Sequence, residues 1–298
     1  MLWGQADAEP VTLVRALAEQ RQRFARTRVF LGVGLSGVMA PGLADAIDFV
    51  GYCGSGSNRR LAESGLLDIW PGHYSDLPAR ILSGDLRIDV LMLQVPPADA
   101  SGRHSLGLAH EYLLAALATA RVVIAEVNDQ APWTMGLHHL DATRIDVGVA
   151  ASYAPLCSPS PASGPIETAI AAHAASLIED RATLQCGLGA IPQAVLAALR
   201  ERRGLGVHSG AVGDGVMALM EAGVVTNAHK GRDAGETIAG VLMGSTRLHR
   251  YAHRNPALQM RGTEYTHDPD VLASLPRFVA INSAIEVDLS GQVNAEVA

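Results

Sequence analysis

Short runs of branched and apolar residues recur along the chain with helix-like stretches between them. "RVFLGVG" (28–34), "IDFVGY" (47–52), "IDVLMLQV" (88–95), "RVVIAEVN" (121–128) and "RIDVGVA" (144–150) each read as a strand that is apolar on both faces. "VTLVRALAEQRQR" (11–23) places Val11, Val14, Leu17 and Ala18 on one helical face, and "LGLAHEYLLAALATA" (106–120) reads as a second helix. Strands apolar on both faces, alternating with helices, predict an open and largely parallel α/β sheet.

A Pro- and Ser-rich stretch, "CSPSPASGP" (157–165), then reads as a linker. Beyond it the pattern restarts. A helix is predicted over 166–180, a strand at "ATLQCG", and a helix at "PQAVLAALRERR". A turn, a helix at "GDGVMALMEAG" and strands at "TIAGVLMG" and "RFVAINSAIEVDL" follow. The expectation is two α/β domains, 1–157 and 165–298. The final strand has no helix after it to cover the sheet, so the second domain reads as incomplete, either a fragment or a chain that needs a partner. Two glycine-bearing stretches, "GLGAIP" (187–192) and "HSGAVGDG" (208–215), read as turns at the mouths of helices. Such turns serve either close packing or an anion.

Composition narrows the function classes. With 298 residues, 48% of them hydrophobic and 18% charged, the chain has ample material for a core and is not disordered. A net charge of −7 argues against a general nucleic-acid binder, which shows a basic face. It leaves room for a phosphate held by a local loop. Three widely spaced cysteines, Cys53, Cys157 and Cys186, form no disulfide framework and no zinc motif, which predicts a reducing cytoplasm. No signal peptide is apparent at the N-terminus and no run is long and apolar enough to span a bilayer, so no membrane partner is expected.

Six segments, in order, carry a resemblance. They are "DVLMLQVPPADASGRHSLG" (89–107), "VIAEVNDQAPWTMG" (123–136), "LQCGLGAIPQAVL" (184–196), "HSGAVGDGVMALMEAGVV" (208–225), "LMGSTRLHRYAHRNP" (242–256) and "INSAIEVDLSGQVNAE" (281–296). Together they resemble the acetyl-CoA hydrolase/transferase family, a branch of the class I CoA-transferases. The resemblance implies two open α/β/α domains of the CoA-transferase-like type, the second one short. It implies transfer of CoA between an acyl-CoA and a small carboxylic acid, or hydrolysis of the thioester, with no metal. It also implies that the matching loop, here Gly187, Leu188, Gly189, Ala190 and Ile191, binds CoA. Read from the residues alone, the same loop is a plain strand-to-helix turn before it is a ligand site, since a short glycine pattern is weak evidence. Asn282 is expected to hold an acyl oxygen or the pantetheine arm, or else to satisfy a backbone group.

Besides its short second domain, the chain departs from the family at one position within the match. The family's reactive glutamate falls on "HSG", where this sequence has Gly210. Three readings follow. Glu286, interrupting an apolar strand, replaces it as a partly desolvated nucleophile; or the protein is a hydrolase or binder without a covalent step, in which Asp214 or His208 positions a water; or the chain is a degenerate or truncated relative, a non-catalytic CoA-binding subunit without turnover. Asp214 is equally a helix cap, and His208 a packed histidine. His249 and His253 have the four-residue spacing of a metal pair without a clear third ligand. "CGSGSNRR" (53–60), with Arg59 and Arg60, reads as either a phosphate cradle or a surface turn, and Cys186 as a small buried residue. Partners are therefore an acyl-CoA and a short carboxylate, with self-association suggested by the uncovered sheet edge.

Overall fold

The computed structural model describes residues 1–158 and 161–295; residues 159–160 of the Pro/Ser stretch and the last three residues lie outside it. Two parallel sheets organise the molecule. The first has seven strands in the order Val147–Ala151, Val122–Asn128, Val90–Val95, Leu2–Trp3, Thr27–Leu31, Ile47–Gly51 and Leu67–Ile69. All of its pairings are parallel, with registers such as Val90 opposite Val122 and Thr27 opposite Ile47. Strand 90–95 is buried from its second residue on, as an interior strand covered on both faces must be. Helix Val11–Gln20 packs against this sheet through Leu13, Val14, Leu17 and Ala18.

The second sheet has six parallel strands: Phe278–Ile281, Thr183–Cys186, Gly206–Val212, Thr237–Leu242, Leu258–Met260 and Met135–Gly136. Its last strand comes from before the linker, so the first half of the chain completes the second sheet. One apolar cluster runs through both halves, from Leu2 and Leu93 to Val207 and Leu258. Asp7 joins them by polar contact as well: its carboxylate accepts from Gly244 N at 2.9 Å, His249 Nε2 at 2.9 Å and Ser158 Oγ at 2.5 Å.

Three expectations change. "GVHSGAV" is not a turn but strand Gly206–Val212, buried except at Gly210 and Ala211, which are partly buried. Its small residues suit a strand held between two others, and burial outweighs the turn-forming tendency of glycine. "RFVAINSAIEVDL" is not one strand: it pairs only over Phe278–Ile281, then forms an exposed hairpin in which Glu286 and Val287 oppose Asn294 and Val293. Finally, 106–120 is helical only over Leu113–Thr119. Ahead of that helix, residues 108–110 run extended along the second sheet. Ala109 bridges Val241, Leu242 N donates to Leu108 O at 2.8 Å and His110 N donates to Gly240 O at 2.9 Å. Glu111 then turns the chain with φ +35°, a left-handed conformation that a non-glycine residue adopts at a cost.

Candidate active site

The loop Gly187–Ile191 leaves the carboxyl end of strand Thr183–Cys186 and opens helix Ala190–Ala198. Open parallel sheets place ligands at this end of their strands. Gly189 has φ +124°, a conformation open essentially to glycine alone. Gly187 is pinned by donating its N–H to Ile281 O at 2.8 Å. The first-turn N–H groups of Ala190 and Ile191 have no acceptor within the helix, which is what an anion or carbonyl oxygen uses. Pro192 stands third in that helix, where the missing N–H removes no internal bond. A shallow crevice beside the loop is lined by Cys186, Leu188, Gln193, Ala211 and Gly213.

Asn282 belongs to the same place. Its Nδ2 donates to Gln185 Oε1 at 3.0 Å, and its Oδ1 lies 3.0 Å from where a Cβ on Gly187 would stand. The structure therefore brings together all six residues that the sequence assigned to CoA. Glu286 does not share their setting. It lies on the exposed hairpin, where its Oε2 accepts from Asn294 Nδ2 at 3.4 Å. The partly desolvated carboxylate expected there is instead a solvent-facing one, because the strand ends at Ile281.

A second cluster lies deeper, on one face of strand Gly206–Val212. His208 is fully buried with its ring 5.7 Å from that of Tyr265, and burial lowers its pKa to about 4. Two residues on, Gly210 faces His267: a Cβ at 210 would fall 2.5 Å from His267 Cε1. The His267 ring packs against Tyr74 at 5.3 Å, and Thr266 Oγ1 lies 2.9 Å from its Nδ1. The Tyr74 hydroxyl donates to Glu111 Oε1, which also accepts from Gln5 Nε2 at 2.7 Å. Gln5 Oε1 in turn accepts from the Tyr52 hydroxyl at 2.6 Å and from Val33 N at 2.9 Å. Burial raises the Glu111 pKa to about 7 against the opposing pull of these two donors. Its Oε2 is buried without a hydrogen-bond partner among the described residues. The sequence reading missed Glu111. A signal was present: it is the single acid between Asp99 and Glu126, set in an apolar stretch.

The remaining candidates have structural partners. Asp214 accepts from Ser245 N at 2.9 Å and Ser245 Oγ at 2.6 Å, tying two loops at the strand ends. His249 is held by Asp7, and His253 Nδ1 accepts from Trp133 N at 3.1 Å. Among the described residues no group of three or more His, Cys, Asp or Glu is placed to hold a metal ion. Asn58 Nδ2 donates to Gly32 O at 2.6 Å and Arg60 to Gly37 O at 3.3 Å, so residues 53–60 brace a neighbouring loop. Cys186 is buried and its thiol is pushed up to about 12. No helix among the described residues is long and apolar enough to cross a membrane.

Residues 1–147 match the profile of the acetyl-CoA hydrolase/transferase N-terminal domain, and residues 244–298 that of the C-terminal domain. The chain is 35% identical over 298 residues to the 4-hydroxybutyrate coenzyme A transferase of Clostridium kluyveri, covering 99% of this chain and 70% of that protein. It is 34% identical over 244 residues to a succinyl-CoA:acetate/propanoyl-CoA:succinate CoA transferase of Fasciola hepatica, covering 81% of this chain and 51% of that one. The crystal structure of RipA from Yersinia pestis superposes with a TM-score of 0.92 at 29% identity, over 99% of this chain and 70% of that one.

Proposed function

Because this chain belongs to the acetyl-CoA hydrolase/transferase family, we propose that it carries CoA from an acyl-CoA thioester to a small carboxylic acid, with CoA seated on the loop Gly187–Ile191. The observation that carries the reading is the meeting of this loop with Asn282 at the carboxyl ends of parallel strands. Glycine at 187 and 189 lets backbone N–H groups approach a ligand, the helix mouth adds positive potential, and Asn282 supplies an amide beside them. The relatives are named for different carboxylates, so the acceptor is a property to be measured and not inherited from either one.

Transfer of this kind runs through a carboxylate. It attacks the thioester carbonyl carbon and expels CoA thiolate, forming an acyl anhydride. The thiolate then takes the carboxylate's own carbonyl and releases the first acid. The sequence nominated Glu286 for this step, four residues past Asn282. The variant Glu286→Ala tests that nomination: loss of turnover with CoA binding kept would establish it. The decisive experiment on the function itself is to incubate the chain with acetyl-CoA, with and without a second short carboxylate, following free CoA and new acyl-CoA together. New acyl-CoA supports transfer. Free CoA alone assigns hydrolysis, and neither product with CoA bound assigns a binding protein.

Three further points belong to the same reading. The chain divides at its Pro/Ser stretch into 1–157 and 165–298, despite strand Met135–Gly136 crossing into the second sheet; limited proteolysis cutting within 157–165 would support the division. Self-association, or a complementing subunit, would use the edge strand Phe278–Ile281 and the hairpin beyond it, where Val287 and Val293 are exposed; sedimentation of the full chain tests this. The three unpaired cysteines suit a reducing cytoplasm.

A further inference from the structure

We propose that Glu111 is the carboxylate that bonds covalently to the acyl group and then to CoA, standing in for the side chain that Gly210 lacks. The proposal rests on the CoA-transfer reading above.

Position is the first argument. Ser209 pairs with Ala239 and Ala211 with Val241, which sets Gly210 opposite Gly240 on the neighbouring strand. Residues opposed across a ladder point to the same face of the sheet. A Cβ on Gly240 would lie 3.4 Å from Glu111 Cγ, and one on Gly210 would meet His267. Glu111, reaching over from the first half of the molecule, thus lies on the face and at the level where a side chain at position 210 would begin. Two adjacent glycines are what allow a carboxylate from another element to settle there.

The carboxyl group is also dressed for the step. Tyr74 and Gln5 both donate to Oε1, while Oε2 has no partner among the described residues. Oε2 is then the oxygen that attacks the thioester carbonyl carbon. The C–S bond breaks, CoA leaves as thiolate, and a mixed anhydride forms on Glu111. When the thiolate attacks the glutamyl carbon, the negative charge of the tetrahedral intermediate develops on Oε1, where the two donors already point. Collapse releases the first carboxylate and leaves a glutamyl–CoA thioester. The acceptor carboxylate returns through the same two steps, and no net proton is consumed. The left-handed backbone at Glu111 agrees with a functional placement, since such strain persists where the surroundings hold it for a purpose. Its pKa near neutrality keeps an ionised fraction available in a dry setting, where a carboxylate is most reactive. Glu111 is buried, so in this proposal the His267 ring, which stands over Gly210 and packs against Tyr74, moves to admit the thioester.

The sequence provides a direct test. Trypsin cleavage after Arg103 and Arg121 releases residues 104–121, in which Glu111 is the single acid, whereas Glu286 falls in the peptide that starts after Arg277. The full chain is incubated with acetyl-CoA, treated with borohydride to convert a glutamyl thioester into a stable alcohol, digested and weighed. A reduced residue in peptide 104–121 is expected. The same modification in the peptide after Arg277, or turnover with no modified carboxylate, overturns the proposal and leaves CoA transfer or hydrolysis standing. Absence of both turnover and CoA binding overturns the functional reading with it. As a second measurement, Glu111→Gln keeps the volume and the hydrogen bonds to Oε1. It is expected to lower transfer by at least on the order of 1,000-fold while CoA affinity stays within about threefold; unchanged transfer in a folded variant refutes the role.

Discussion

"CGLGAI" and "VHSGAV" look alike on paper, each a glycine-bearing stretch ahead of a helix, and the molecule uses them in opposite ways. In the first, Gly189 at φ +124° turns the chain out of the sheet and leaves backbone N–H groups at a helix mouth. In the second, Gly210 lies in a regular buried strand, and its missing side chain makes room for His267. One glycine stretch leaves backbone N–H groups open at a helix mouth. The other concedes a side-chain position to residues that arrive from elsewhere. Glycine in a family segment therefore carries no single meaning: what matters is whether the backbone or the absent Cβ is being used.

Substitutions and pH separate the two uses. The largest effect is expected from Glu111, on the buried side. Its carboxyl titrates at about 7 when folded against an ordinary value of 4.5, so the folded state holds the proton more tightly. Its contribution to stability is full below about pH 4.5 and is lost as pH rises through 7, by at most on the order of 3 kcal/mol. Denaturant unfolding across this window should show the native chain losing stability relative to Glu111→Gln as pH rises. His110 and His208, whose pKa values burial lowers to about 3 and about 4, act in the opposite sense, since their contribution is lost as pH falls. They are common to both proteins and leave the difference intact.

Next comes Gly210→Glu. Restoring the family residue alone should cost roughly 1–3 kcal/mol in thermal or chemical unfolding, because the new Cβ meets His267. Pairing it with His267→Ala should recover much of that loss. If the single variant proves as stable as the parent, the strand face is looser than described. On the loop side, Gly187→Val sets a side chain against Asn282 and should weaken CoA binding by about tenfold or more in calorimetric titration, near 1.4 kcal/mol. Its stability should change less than that of Gly210→Glu. The smallest effect is expected at Glu286. The exposed carboxylate has one long bond to Asn294, so Glu286→Ala should shift stability by less than about 0.5 kcal/mol and, with Glu111 reacting, leave turnover in place.

Much of this was legible beforehand, and the failures have a common cause. Strands such as Val90–Val95 and Val122–Asn128 fall within two residues of where apolar runs placed them, since continuous burial writes itself into continuous hydrophobicity. The loop Gly187–Ile191 and its neighbour Asn282 were identified from the segments that resemble the family. The helix expected over 106–120 failed in its first half because Leu108 and Ala109 are apolar for a different reason: they line the second sheet. An apolar run alone does not say which sheet it serves. Glu286 was favoured because it interrupts an apolar run, and it proved exposed because that run leaves the sheet at Ile281.

What the sequence determined by itself is the alternation of strand and helix, the family, and the glycine turn that opens helix Ala190–Ala198, all of which depend on neighbours in the chain. Tertiary structure alone decided what occupies the place beside Gly210. That answer combines Gln5, Tyr74, Glu111 and His267, which meet only because strands far apart in sequence pair in register, and no local pattern encodes a register between distant strands.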